Sequence, residues 1–280
     1  MQARSALFDL YGDHLRAHHG RAPVAALVRL LAPLDIGAPA VRTAVSRMVR
    51  QGWLTPARLP AGPGYAITPR AARRLDEAAS RIYRTDRTGW DGTFDMIVAD
   101  PATSRTDRLR IANSLAYLGY GRVTDGTWIA ARTSPEADTV LAESGLSYDR
   151  FAARHAGTTR ESAALVSRAW DLDGLARQYK EFVAAQRPAL EAIDPLGDLR
   201  AAFIARFQLV HAWRAFLFRD PSLPPSLLPA HWAGAKAAEF FDLHAGRLRP
   251  AADLFVEACL RHGGDVDGPR KSDNGPRKAP

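Results

Sequence analysis

The stretch Ala38-Pro-Ala-Val-Arg-Thr-Ala-Val-Ser-Arg-Met-Val-Arg50, followed by Gln51-Gly52, decides how the first third of this chain is read. Its apolar spacing predicts a helix over 38–51 that buries Val41, Val45, Met48 and Val49 and is stopped by Gly52. Arg42, Thr43, Ser46, Arg47 and Arg50 then face largely elsewhere. A helix lying in a DNA major groove needs one apolar face toward its own domain and an outer face of donors. Arginine suits that outer face because its planar fork matches guanine edges and phosphates, while Ser and Thr reach phosphate or base. The same face taken alone also reads as an ordinary solvated surface, so its surroundings have to decide.

Upstream, residues 5–18 show helical spacing at Leu7, Leu10, Tyr11 and Leu15, and Gly20 is placed as a stop. Pro23 opens a second helix carrying Val24, Leu27, Val28, Leu30 and Leu31, and a short break, Pro33-Leu-Asp-Ile-Gly37, precedes the third. Downstream come Trp53-Leu54, a loop rich in Pro and Gly (Pro60-Ala-Gly-Pro-Gly64) and Tyr65-Ala-Ile67, which read as two short strands joined by a tip. Thr68 caps a further helix with Pro69 at its first position, running to about Tyr83 and carrying Arg70, Arg73, Arg74 and Arg81. Three helices, a hairpin and a following helix make a winged helix-turn-helix. Arg58 in the wing is placed for a phosphate or minor-groove contact.

Charge agrees with that reading. Residues 1–88 hold 14 Lys+Arg against 6 Asp+Glu, whereas residues 89–280 hold 24 of each, so the whole net charge of +8 lies in the first segment. A basic module joined to a neutral remainder implies a polyanionic partner. The composition, 46% hydrophobic and 24% charged, is that of a globular protein. No apolar run is long enough to span a bilayer, the first ten residues lack a signal-peptide pattern, and one cysteine, Cys259, supports no disulfide framework. These features point to a cytoplasmic protein with no membrane partner.

After a linker over 85–90 the pattern changes. A strand at 94–99, a helix at 104–118, strands at 121–123 and 127–131, a helix at 135–144 and a weaker strand at 150–155 give the order β-α-β-β-α-β of a ferredoxin-like sandwich. From about Ser162 the chain reads as helical, with segments at 172–186, 199–218, 233–248 and 250–261, and a proline-rich interval over 219–229. The polar, Pro- and Gly-rich residues 263–280 read as a disordered tail. The fold class is therefore α+β multidomain: a winged helix-turn-helix at 1–88, a ferredoxin-like domain at 89–158 and a helical C-terminal domain at 159–262.

Enzyme signatures are missing. The chain has no G-x-x-x-x-G-K, no G-x-G-x-x-G after a strand, no G-x-S-x-G and no H-E-x-x-H. His211, His231 and His244 with Asp220 and Asp242 do not have the spacing of a metal site. No catalytic residue, cofactor or metal is assigned, and the six tryptophans, scattered over all segments, read as core.

Several of these residues resemble the PaaX-type transcriptional regulators, named for the repressor of phenylacetic acid catabolism. Leu10-Tyr-Gly-Asp13 looks like that family's opening helix, Ala40-Val-Arg-Thr-Ala-Val-Ser-Arg-Met48 with Gln51-Gly-Trp-Leu54 like its recognition helix, and Tyr65-Ala-Ile-Thr68 like its wing exit. Trp90-Asp-Gly92, Leu118-Gly-Tyr-Gly121 and Gly126-Thr-Trp-Ile-Ala130 are similar to its central domain. His211-x-x-Arg214, Leu217-Phe-Arg-Asp-Pro221, Leu227-Leu-Pro229 and Trp232-x-Gly234 are similar to its third segment. The chain departs from the pattern at His231, where the family usually has Asp, at Asp100-Pro101, and in its Pro/Gly-rich wing.

The resemblance implies a Cas2-like middle domain and a homodimer on double-stranded operator DNA. It also implies a repressor of aromatic catabolism, released by an acyl-CoA effector such as phenylacetyl-CoA. His211, Arg214 and Arg219 are the effector candidates, arginine because CoA brings phosphates; a capping and loop-pinning role for the same segment is the structural alternative. The functional alternative is an enzyme, either acting on a CoA thioester or cutting nucleic acid through the Cas2-like domain with Asp95 and Asp100 as metal ligands.

Overall fold

The computed structural model describes residues 1–83, 89–100 and 104–261. The elements in chain order are α1 (Ala3–Asp13), β1 (Arg21–Pro23), α2 (Val24–Leu31), α3 (Ala38–Arg50), β2 (Leu54–Leu59), β3 (Gly62–Ile67), α4 (Pro69–Ile82), β4 (Thr93–Ala99), α5 (Arg105–Tyr117), β5 (Gly121–Thr124), β6 (Thr127–Ala130), α6 (Glu136–Ser144), β7 (Tyr148–Arg154), α7 (Thr159–Ala169), α8 (Leu172–Glu191), α9 (Leu199–Arg214) and α10 (Ala233–Arg261). They divide into two compact units, one of residues 1–75 with residues from 251 onward, the other of residues 76–250. Residues 85–88 of the linker and the tail from 263 lie outside the described residues.

The first unit is built on the apolar positions the helical spacing marks. Leu7, Leu10 and Tyr11 of α1, Leu27, Leu30 and Leu31 of α2, and Val41, Val45 and Met48 of α3 are all buried. Its sheet has the order β1-β3-β2, antiparallel throughout. The strand β1 is three residues long and carries no alternation long enough to detect, so sequence periodicity misses it.

The hairpin is also longer than its composition suggests. β2 and β3 pair from Leu54↔Ile67 to Leu59↔Gly62, which reduces the Pro/Gly-rich loop to Pro60-Ala61. Gly64 is central-strand backbone: a Cβ there would stand 2.5 Å from the Ala22 carbonyl oxygen of β1. Pro63 lies beyond the end of β1, where β3 has a partner on one side only, a position that tolerates proline.

The last residues of α10 belong to this unit too. Arg29 on α2 donates from Nε and Nη2 to the Cys259 carbonyl at 3.2 and 2.6 Å. Cys259 is buried, and that burial pushes its thiol pKa up. Pro250 does not divide α10 into the two helices its sequence predicts. Both Pro250 and Gly246, whose carbonyl the proline leaves without a donor, are exposed, so water can satisfy that group.

In the second unit the sheet order is β5-β6-β4-β7, with every pairing antiparallel. One face carries Ile97, Trp128 and Ala130 against Ile111 and Leu115 of α5 and Ala137 and Leu141 of α6. The other face carries Phe94 and Ile129 against Val166 of α7, Leu172, Leu223 and Leu227, with Trp90, Trp170 and Trp232 packed around them. The proline-rich interval keeps a single short 3-10 turn, Pro225–Leu227, and serves as part of that second cover.

Gly64→Ala should destabilise the first unit by roughly 1–3 kcal/mol, because the added methyl meets backbone that cannot swing aside. The readout is the rate at which a thiol reagent reaches buried Cys259, faster in the variant. An unchanged rate would mean that β1 and β3 are not held in this contact.

Candidate nucleic-acid interface and ligand cavity

The helix α3 presents two faces of opposite character. Val41, Ala44, Val45 and Met48, at steps of three, one and three, are buried, while Arg42, Thr43, Ser46, Arg47 and Arg50 are all exposed. Among the described residues none of those five side chains has a hydrogen-bond or ion-pair partner, and α3 itself carries no carboxylate. The result is a basic, donor-rich surface held in place from behind. Arg58 is exposed on β2 opposite Pro63, near the hairpin tip.

Several contacts fasten the hairpin and the end of α3. The Trp53 amide donates to Met48 O at 2.9 Å and the Thr68 hydroxyl to Gly52 O at 2.8 Å, while the Thr68 hydroxyl in turn accepts from the Ala71 amide, capping α4. Tyr11 Oη of α1 donates to Tyr65 O at 3.2 Å. Trp53 meets Phe8 edge-on with centroids 5.2 Å apart, and the Arg70 guanidinium lies 4.9 Å from the Trp53 ring centroid.

Within the second unit lies an open cavity of about 1300 Å³. Trp90, Phe94, Tyr179, Trp213, Phe216 and Trp232 give it aromatic walls, and Arg81, Arg132 and Arg150 also line it. Tyr179 stacks on Phe216 at 4.1 Å and meets Trp232 edge-on at 6.1 Å. Trp90 Nε1 donates to Thr93 O at 2.8 Å, whereas the Trp232 indole N–H has no acceptor among the described residues. Arg81 Nη2 donates to the Leu217 and Asp220 carbonyls at 2.6 and 3.3 Å. The Asp220 carboxylate accepts from Tyr179 Oη and from the Ser222 amide.

The effector candidates from the sequence stand elsewhere. His211, Arg214 and Arg219 do not line this cavity, and the Arg219 guanidinium donates to Gln178 Oε1 at 2.8 Å. The cavity residues on β4, α4 and α8 carried no motif, since aromatics and arginines far apart in sequence converge only in the fold.

Asp95 and Asp100 do not form a metal pair. Asp95, 8% exposed, is held by Arg150 from Nε at 2.8 Å and from Nη2 at 2.5 Å, and also accepts from Tyr120 Oη. Arg150 reaches Asp138 as well, at 2.6 Å, and the bonds to Asp95 push its pKa up; burial and the Asp95 contact do the same to Tyr120. Asp100 is exposed five residues along the chain, about 17 Å away at strand rise. Among the described residues no group of three or more His, Cys, Asp or Glu side chains is placed to hold a metal ion. The same residues contain no helix long and apolar enough to cross a membrane.

Comparison with known proteins finds matches along most of the chain. Residues 2–71 match the PaaX-like protein model, residues 87–166 the PaaX protein central Cas2-like domain, and residues 170–258 the PaaX-like protein C-terminal domain. The chain belongs to the PaaX family. The transcriptional repressor PaaX of Escherichia coli (strain K12) is 30% identical over 261 residues, covering 90% of this chain and 82% of the repressor. A solved structure, the uncharacterized protein Rv0674 from Mycobacterium tuberculosis, superposes with a TM-score of 0.61 at 23% identity, over 92% of this chain and 98% of that one, and so shares the fold. The family is one of regulators, not of enzymes.

Arg150→Met should destabilise the second unit by about 3–5 kcal/mol, since it strands the buried Asp95 carboxylate. Thermal unfolding of the single variant and of the double variant with Asp95→Asn measures this, and the double variant should recover part of the loss. A single variant as stable as the wild type would free Asp95 for another role.

Proposed function

We propose that this protein is a DNA-binding transcriptional repressor whose first unit is a winged helix-turn-helix, with α3 as its recognition helix. The observation that carries the reading is the outward face of α3, with three arginines, Thr43 and Ser46, all exposed and none engaged within the described protein. The topology supports it: β1 between α1 and α2 adds a third strand to the β2–β3 hairpin, the arrangement that lets a wing stand beside a recognition helix. The middle sheet supports the ferredoxin-like assignment, because β7-β4-β6-β5 is the strand order a β-α-β-β-α-β split unit produces.

Repression comes to this chain from its family and from the Escherichia coli relative. On this reading the protein works in the cytoplasm as a homodimer on a two-fold operator near genes of aromatic catabolism. Arg42, Thr43, Ser46, Arg47 and Arg50 enter the major groove, and Arg58 follows with the wing. An acyl-CoA effector binds a dimer geometry in which the two recognition helices no longer match successive half-sites, and the operator is released.

A gel shift of the full chain on DNA upstream of its own gene, with competitor DNA, tests this. Arg47→Ala should lower specific affinity by about 1–3 kcal/mol and leave nonspecific binding less affected. Equal losses on both DNAs would reduce Arg47 to a phosphate contact, and no loss on either would refute α3 as the recognition helix.

A further inference from the structure

We infer that residues 268–278 make a second DNA contact, in which two Gly-Pro-Arg-Lys clusters place arginine in the minor groove beside the site that α3 reads. The inference rests on the reading of the first unit as a winged helix-turn-helix and adds a contact that neither α3 nor the wing supplies.

The first observation is a repeat. Gly268-Pro-Arg-Lys271 recurs seven residues later as Gly275-Pro-Arg-Lys278. From Gly268 onward four Lys or Arg stand against one carboxylate, Asp273, which lies between the clusters and in neither. An identical basic tetrad repeated in so short a stretch is more than the general polarity of a solvated segment requires. The match to the PaaX-like C-terminal domain stops at residue 258, so the repeat is a feature of this chain outside that domain.

The order of residues within each cluster also selects a groove. Proline fixes its own φ, has no N–H to donate and disfavours helical backbone in the residue before it, so neither cluster is built to run as a helix. An extended basic chain suits the minor groove, about 6 Å wide, whereas a helix needs the wider major groove. A narrow A·T-rich minor groove has an enhanced negative potential that draws in arginine. Clusters seven residues apart are separated by at most roughly 25 Å of chain, less than the about 34 Å of one DNA turn.

The second observation is where the segment starts. Arg29 of α2 donates to the Cys259 carbonyl from Nε and Nη2, His14 Nδ1 of α1 stands 3.4 Å from Asp253 Oδ1, and Val256 and Cys259 are buried. Residues from 251 onward group with the first unit. In a helix-turn-helix the helix before the recognition helix crosses the DNA backbone, and here that helix is α2. The segment therefore leaves α10 from a point fastened to α2. Arg270 is nine residues past Arg261 and Arg277 sixteen, reaches of at most roughly 32 and 58 Å for an extended chain, enough for a minor groove next to the site.

The test compares the full wild-type chain with a variant carrying Arg270→Gln, Lys271→Gln, Arg277→Gln and Lys278→Gln together, with Arg47→Ala alongside. The DNA is what the wild type selects from a random pool. Affinity is followed by fluorescence anisotropy over a salt series, and contacts by methylation interference. The quadruple variant should bind about tenfold more weakly, and the slope of log affinity against log salt should fall by about 2 to 4. Wild type should show interference at adenine N3 flanking the guanine N7 positions. The quadruple variant should lose the adenine N3 signal and keep guanine N7, whereas Arg47→Ala should keep adenine N3. An unchanged affinity and slope, or an adenine N3 signal that is absent from the wild type or kept by the quadruple variant, overturns the contact and leaves α3 as the reader. A wild type that selects no DNA overturns the contact together with the reading it rests on.

Discussion

Val41, Ala44, Val45 and Met48 hold α3 from one side, and the rest of the first unit is arranged around that grip. With 3.6 residues per turn, four buried side chains at these spacings use one stripe of a 13-residue helix and push every arginine to the other. The wall behind them comes from α1 and α2, which supply Leu7, Leu10, Leu27 and Leu30 to the same core. Because the inner face alone secures the helix, the outer face has no structural work. An arginine there needs no internal carboxylate, and α3 supplies none.

The hairpin next to it depends on one close approach. β3 lies between β1 and β2, and Gly64 lets the β1 backbone come in where any side chain would collide. Tyr11, Trp53 and Thr68 then tie the hairpin and the end of α3 to the surrounding helices through main-chain carbonyls and ring contacts. The second unit uses a different solution, a four-stranded sheet covered on both faces. The buried Asp95–Arg150 pair sits at the edge of that arrangement, with its charges matched to each other rather than to a metal.

Much of this was legible in the sequence because it is local. The face of α3, the stop at Gly52, the Thr68 cap and the β-α-β-β-α-β order all follow from spacing and capping chemistry within a few residues. What escaped was non-local or too short. β1 spans three residues, and it changes the meaning of Gly64 from loop to central strand. The return of α10 to Arg29 pairs positions 230 residues apart. The cavity is assembled from side chains on several elements; Trp90, Asp220 and Trp232 lie in stretches that carry the family resemblance, but nothing in their order shows that they share one space, and His211, Arg214 and Arg219, close in sequence, are not part of its lining. A pattern of exposed and buried residues carried by one helix can be read from residues in order, whereas a cavity formed by distant segments cannot.

The central claim, that α3 reads bases in a major groove, is tested most directly by methylation interference. The substrate is DNA that the full-length protein selects from a random pool. The account predicts interference at guanine N7, which lies in the major groove, in two patches about 10 base pairs apart. Interference confined to adenine N3 in the minor groove, or none at guanine N7, would contradict it.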